Sequence, residues 1–162
     1  MTIRSATEAD TDAIVALSLT AWDGVFDAML RETPDFVTRA FYPEGWRARQ
    51  AADVRALVSD TDTDTLVDVS GHELRGFVSI RLHPEDKMGE IAILATRPDA
   101  RRSGVATALT DAACQRIAAA GMEMVMVETG GDSGHAPARA FYEAAGFERW
   151  PVARYFRPLD KG

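Results

Sequence analysis

An α/β chain with a mixed sheet is the fold class the sequence predicts, on three observations. Helical spacing of apolar residues fills the first third, an antiparallel hairpin pattern comes next, and a strand–helix–strand succession comes after it. Ile3 to Ala6 suits a short opening strand. Thr7 and Asp10 have capping-box spacing ahead of Ile14, Leu17, Ala21 and Val25, which predicts a helix over about 10–25. Asp27 to Tyr42 is ambiguous, with a short helix broken at Pro34 as one reading. Trp46, Ala51, Val54 and Val58 share one side of a helix from about Glu44 to Ser59, and Asp60 to Asp64 reads as an acidic loop. Thr65–Ser70 and Leu74–Leu82 flank a Gly71-His72-Glu73 turn, the expected hairpin. Glu90 to Thr96 is a third strand, and its apolar run Ile91–Ala95 suggests cover on both faces. Val105, Leu109, Ala112 and Ile117 then form one helical stripe, with Gly121 placed as its C′ glycine. Met122–Glu128 reads as a strand parallel to the third, joined to it by a right-handed crossover. Ala136–Ala145 is a short helix with Pro137 in its first turn. Strands near Phe147–Trp150 and Ala153–Arg157 are expected to close the chain.

Composition narrows the function classes. The chain has 162 residues, with 18 basic and 25 acidic side chains for a net charge of −7. That length suits one domain over 1–162, and no repeat or Gly/Ser linker divides it. The acidic balance argues against a nucleic-acid binder, which needs a basic footprint. A lone Cys114 excludes an intrachain disulfide framework and a multi-cysteine zinc site. No apolar run approaches the ~18 residues that span a bilayer. Met1 to Asp10 lacks the basic and apolar regions of a secretory signal. The expectation is a cytoplasmic protein without membrane partners.

The chemistry concentrates in Arg101-Arg102-Ser103-Gly104-Val105-Ala106-Thr107, between the buried strand and the long helix. A helix start presents unpaired amides and the positive end of the macrodipole. Gly104 permits close backbone approach, Ala106 and Thr107 keep the surface small, and two arginines add charge, so a pyrophosphate suits the turn. It is neither a Walker loop nor a GxGxxG turn. From these seven residues alone, a loop with two solvated arginines reads equally well.

The second segment is His135-Ala136-Pro137-Ala138-Arg139-Ala140-Phe141-Tyr142-Glu143-Ala144-Ala145-Gly146-Phe147. The two together resemble the GNAT superfamily of acyl-CoA-dependent N-acyltransferases. Its cofactor signature appears as Arg101-x-x-Gly104-x-Ala106, and its later one as Ala138-x-x-Phe141-Tyr142-x-x-x-Gly146-Phe147, with one helix and one strand between. The resemblance covers about 74–158, the cofactor-binding core; residues 7–60 would supply acceptor-side helices. It implies a curved mixed sheet whose central parallel strands, 90–96 and 122–128, splay apart around the pantetheine of acetyl-CoA. Ile93, Leu94, Ala95 and Thr96 would then contact pantetheine, and Arg101, Arg102, Ser103, Gly104, Val105, Ala106 and Thr107 the pyrophosphate. His135 stands where the family often has asparagine; it reads equally as a cofactor contact or a helix-cap residue. Thr96-Arg97 departs from the frequent Val-Asp ending.

Amine acetylation needs a base, because an alkyl amine with pKa ~10.4 is mostly ammonium at pH 7. Many relatives carry a carboxylate near Glu90, acting through water, which makes Glu90 the general-base candidate beside its reading as a strand-end surface carboxylate. Tyr142 occupies the position from which the family's tyrosine points at the thioester sulfur, as general acid; its plainer reading is a core tyrosine. His72, His83 and Glu85 lack metal-ligand spacing, so no metal is expected. Cys114 and the alternating Met122, Met124 and Met126 read as packing residues, and Arg139 as an exposed helix arginine. The expected function is an acetyl-CoA-dependent N-acetyltransferase acting on a small-molecule or peptide amine. The aromatics Trp22, Phe26, Phe36, Phe41, Tyr42 and Trp46 and nearby acids would suit a cationic acceptor, although for most of them core packing and solvated acids are the stronger reading. A non-catalytic acyl-CoA sensor is the alternative. Homodimers are common in such folds, and the sequence carries no independent sign of one.

Overall fold

The computed structural model describes residues 2–159; Met1 and 160–162, the ends of the expected 1–162 domain, lie outside them. One five-stranded sheet runs in chain order, β1 (Thr2–Ser5), β2 (Thr63–Ser70), β3 (Glu73–His83), β4 (Met88–Thr96) and β5 (Met124–Val127). The first three pairings are antiparallel and β4·β5 is parallel, giving the mixed sheet the sequence predicts. Helices α1 (Thr11–Glu32), α2 (Asp35–Phe41) and α3 (Trp46–Ser59) precede the hairpin; α4 (Val105–Ala119) makes the crossover and α5 (Ala136–Ala144) comes after β5.

The sheet is covered on both faces. Ile14, Leu17 and Ala21 of α1 and Val54 of α3 pack with Val67, Phe77 and Ala95 on one face. Val105, Leu109, Ala113 and Ile117 of α4 pack with Leu66, Val78, Ile80 and Ile91 on the other. Two glycines set how closely α4 lies. A Cβ at Gly76 would meet Val105 Cγ1 at 2.7 Å, and one at Gly89 would overlap the Ile117 side chain. The 3-10 turn before α1 is held as its spacing predicts: the Thr7 amide and hydroxyl donate to Asp10 (2.7 and 2.9 Å), whose carboxylate also pairs with Arg4 at 2.8 Å.

Four expectations change. The first helix continues to Glu32, because Phe26 stacks on Trp46 (centroids 4.3 Å apart) and extends the buried face. With its leading turn, Glu8–Glu32 is long and apolar enough to cross a membrane by length and composition, mean hydropathy 1.5, contrary to the sequence expectation. In the structure its apolar face packs on the sheet. The closing strands near 147–150 and 153–157 do not form. Pro151 interrupts them without an N–H to donate, and β5, at four residues, offers a short edge. Finally, Met122 packs on the α4-side core as expected, whereas Met124 is 52% exposed.

Candidate functional site

The site begins where two strands part. β4 pairs with β5 only through Met88–Ile91, and then runs on to Thr96 without a β5 partner. A β-bulge marks the same place: Ile80 faces Ile91 and Ser79 faces Ile93, leaving Ala92 as the extra residue. A bulge bends its strand and re-aims the residues beyond it. Ile93, Leu94, Ala95 and Thr96 therefore carry a backbone edge open toward the gap. Their side chains are divided, Ile93 and Ala95 to the α1 side and Leu94 to the α4 side.

At the end of β4 the chain turns through Pro98–Ala100 into Arg101–Thr107. Arg102 (φ 59°) and Gly104 (φ 83°) are both left-handed, a geometry glycine adopts without penalty. The first α4 backbone bond runs from the Ala108 amide to the Gly104 carbonyl, so the Val105, Ala106 and Thr107 amides are the free donors of the first turn. A Cβ at Gly104 would meet nothing within 4 Å, so the turn opens outward. Ser103 Oγ donates to the Ala100 carbonyl at 2.6 Å and braces it. Val105's side chain is buried against the α4-side core, leaving its amide as its contribution.

The arginines are less concentrated than the sequence suggests. Arg97 pairs with both Glu73 and Asp99, and these hydrogen bonds hold its guanidinium in the charged form. Arg101 turns away from the open side and donates to the Ala21 carbonyl of α1 at 2.9 Å. Arg102 is exposed with no carboxylate partner among the described residues. The turn is thus an amide cradle with one free cation among the described residues, suited to an extended anionic ligand leading into the β4–β5 gap.

Tyr142 of α5 sits edge-on between Phe141 and Phe147, with centroids 5.4 and 5.6 Å away. Burial among these rings pushes its phenol up to about 12. Phe147 packs against the α4-side core, which places the tyrosine cluster on that side of the sheet. Glu90 belongs to the opposite side. It lines a cleft of about 390 Å³ together with Asp53, Ala56 and Leu57 of α3, Asp60, Arg81 and Ala92. The structure does not stack the two candidates together; it puts them on opposite faces of the sheet.

His83 is the residue sequence reasoning passed over. Its Nε2 lies 2.8 Å from Glu90 Oε2, and its Nδ1 lies 3.8 Å from Glu85. The signal was available: antiparallel pairing of His83 with Met88 and Arg81 with Glu90 brings His83 and Glu90 diagonally together across the hairpin. His135, by contrast, is committed through Nδ1 to Asp132 at 2.7 Å, and Gly130 leaves room for the pair. Burial opposes the Asp132 charge, yet the His135 hydrogen bond and charge hold it below the usual range. Nε2 is the His135 nitrogen without a partner among the described residues. Arg139 ties the same loop by donating to the Gly130 and Asp132 carbonyls (2.6 and 2.7 Å), a positioning role rather than free exposure. The anticipated acceptor aromatics are largely self-engaged, with Phe26 buried between Trp46 and Tyr42.

A family model for the acetyltransferase (GNAT) family matches residues 22–147. The chain belongs to the GNAT family. The match runs from Trp22 within α1 to Phe147, and so includes the open strand, the amide turn and the tyrosine helix. Among curated relatives, a mycothiol acetyltransferase of Pseudarthrobacter chlorophenolicus is 32% identical over 100 residues. That match covers 59% of this chain and 30% of the relative, so the matched part spans less than a third of the relative's length. The same fold recurs in solved structures of low identity. The BH1408 protein of Bacillus halodurans superposes with a TM-score of 0.74 at 18% identity, covering 98% and 100% of the two chains. AAC(6')-Iy, in complex with the bisubstrate analogue CoA-S-monomethyl-acetylneamine, gives 0.67 at 15% identity, with 98% of each chain covered.

Proposed function

We propose that this GNAT protein transfers an acetyl group from acetyl-CoA to a primary amine of a small molecule or peptide. The observation that carries the reading is the β4 edge left unpaired past Ile91, followed in the chain by the amide turn at 101–107. Family membership supports acetyl transfer, and the CoA moiety bound by AAC(6')-Iy supports the donor. The amides of Arg102 to Thr107 would hold the pyrophosphate, and the Ile93–Thr96 backbone the pantetheine arm. His135 Nε2 would be a further polar contact.

Acetyl-CoA supplies an activated acyl carbonyl and a thiol leaving group. The chain supplies the proton handling and the charge stabilisation. Glu90 accepts the proton of the incoming ammonium through water, held by His83, in a cleft where Asp60 pairs with Arg81 and Asp53 with Arg49. Backbone amides beyond the bulge polarise the carbonyl. Tyr142 gives its proton to the departing sulfur. A phenol near 12 is a weak acid against a thiol of ~8.5 in water, but the burial that raises the phenol also raises a thiol desolvated beside it.

Calorimetry with acetyl-CoA, then a thiol-release assay over a panel of primary amines including polyamines and aminoglycosides, tests the reading. Binding together with amine-dependent release is expected. Binding without release across the panel favours a sensor of acyl-CoA, and absence of binding overturns both.

A further inference from the structure

One cation in the Glu90 cleft has no role in moving protons or in holding acetyl-CoA. Arg81 of β3 is the register partner of Glu90 on β4, and both line the cleft. Directly opposed residues of an antiparallel pair share a face, with about 5 Å between their Cβ atoms. The sheet therefore sets a guanidinium across from the carboxylate that would receive the ammonium. Glu90 is taken by His83 at 2.8 Å, and Arg81 reaches Asp60 instead. A simple alkylammonium brought to Glu90 would meet a like charge one strand away.

Arg81 is held lightly. Its one side-chain hydrogen bond among the described residues runs from Nη2 to Asp60 Oδ2 at 3.2 Å, and 39% of the side chain is exposed. Nε and Nη1 are left over, and a guanidinium grips a carboxylate best through two parallel N–H groups. Asp60 does not depend on Arg81. Its Oδ1 accepts from the Asp62 amide at 3.0 Å, the chief cause of its lowered carboxyl. The other acid of the cleft, Asp53, is answered by Arg49 at 3.3 Å. Glu90 and Arg81 remain as the opposed charges with capacity for a ligand, and Ala56, Leu57 and Ala92 supply uncharged lining beside them.

We propose that the acceptor is a zwitterion, an α-amino acid with an uncharged side chain, whose amine faces Glu90 and whose carboxylate is bound by Arg81. The opposed positions of the two residues require amine and carboxylate close together on the acceptor, as they are when one carbon carries both. A zwitterion leaves the net charge of the cleft unchanged. It also turns the guanidinium from a repulsive neighbour of the ammonium into an anchor. The assignment rests on the acetyl-transfer reading for the place of Glu90, and it narrows the acceptor from any primary amine to this class.

Matched acceptors test it: apolar α-amino acids and their carboxamides, which differ only at the carboxylate, in the thiol-release assay with acetyl-CoA. The acid is expected to exceed the amide by about 10- to 100-fold in kcat/KM, the worth of one charge-assisted contact. Arg81→Gln is expected to erase that margin through KM, and comparing the ratio between wild type and variant cancels the different basicity of the two amines. Asp60→Asn breaks the same ion pair from its other side and frees the guanidinium, so KM for the amino acid should fall. A merely structural ion pair would make both variants worse, and thermal melts check that each is folded. No margin for the acid in wild type, or the same shift in both variants, overturns the anchor. Calorimetry of the amino acid against protein with and without CoA reads the site apart from turnover. Binding that Arg81→Gln abolishes, with no amine acetylated, keeps the carboxylate site and overturns acetyl transfer. Acetylation of amides or aminoglycosides without amino-acid binding keeps acetyl transfer and overturns the assignment.

Discussion

At the scale of single residues, the two proton-handling candidates differ in how firmly their surroundings define them. Tyr142 is held by rings and stays protonated at any ordinary pH, because burial moves its phenol from about 10 to about 12. An unfolded tyrosine ionises first as pH rises above ~10, so the contribution of this group to stability is intact below ~10 and lost between there and about 12. Tyr142→Phe is expected to lower kcat by ~10²–10⁴-fold while the acetyl-CoA affinity changes little. Thiol release and calorimetry read the two separately, and an unchanged kcat removes Tyr142 from the acid role. Glu90 is defined instead by one hydrogen bond, with His83 at 2.8 Å. Glu90→Gln should remove most turnover, and His83→Asn should cost about 10- to 100-fold in kcat, the scale of a misplaced catalytic group. If Glu90→Gln is inactive and His83→Asn is fully active, the carboxylate needs no such support. If Glu90→Gln is fully active, the base lies elsewhere.

At the scale of elements, glycines decide how closely α4 meets the sheet and how the anion turn is shaped. Gly89→Ala drives a methyl into Ile117, and its cost should be about 1–3 kcal/mol in chemical denaturation. Gly104→Ala meets open space and is strained only through its backbone, about 1–2 kcal/mol. Its clearer effect should be weaker acetyl-CoA binding by calorimetry as the amides rotate; unaltered affinity would remove the turn from the site. These two elements were also the most readable in the sequence. The α4 stripe, its start at Gly104 and the α5 helix are local signals, set by spacing and backbone freedom within a few residues. The full length of α1 was not readable, because its last turns depend on Phe26 stacking on Trp46, twenty residues away. The His83–Glu90 pair needed the hairpin register, and the direction of Arg101 needed the position of α1. The absent closing strands show the converse: alternating apolar residues do not form a strand where Pro151 removes a donor and the nearest edge is four residues long.

At the scale of the whole molecule, charge and sheet geometry act together. Asp10, Asp60, Asp99 and Asp132 all sit below the usual carboxylate range, held there mainly by hydrogen bonds from Arg4, the Asp62 amide, Arg97 and His135. Their unfolded values lie near ~3.9, so the stability they contribute is complete above that pH and drains away as pH falls through the folded values. Thermal melts should therefore show a steep loss of Tm below about pH 4. Asp10→Asn should melt lower than wild type at pH 7 and lose less on further acidification; identical profiles would mean that the Arg4–Asp10 pair contributes nothing to the linkage. The sheet carries a different kind of dependence. Ala92 is one residue too many in β4, and the core on either side of it is in phase without it: Ile91 faces α4, Ile93 faces α1, and a strand lacking Ala92 would keep them so. The bulge coincides with the point where β4 leaves β5, and it is a single unit of phase slip. Deleting that one alanine would leave every core residue on its own side of the sheet. The core pattern and the bend of the strand are, at this position, written in separate residues.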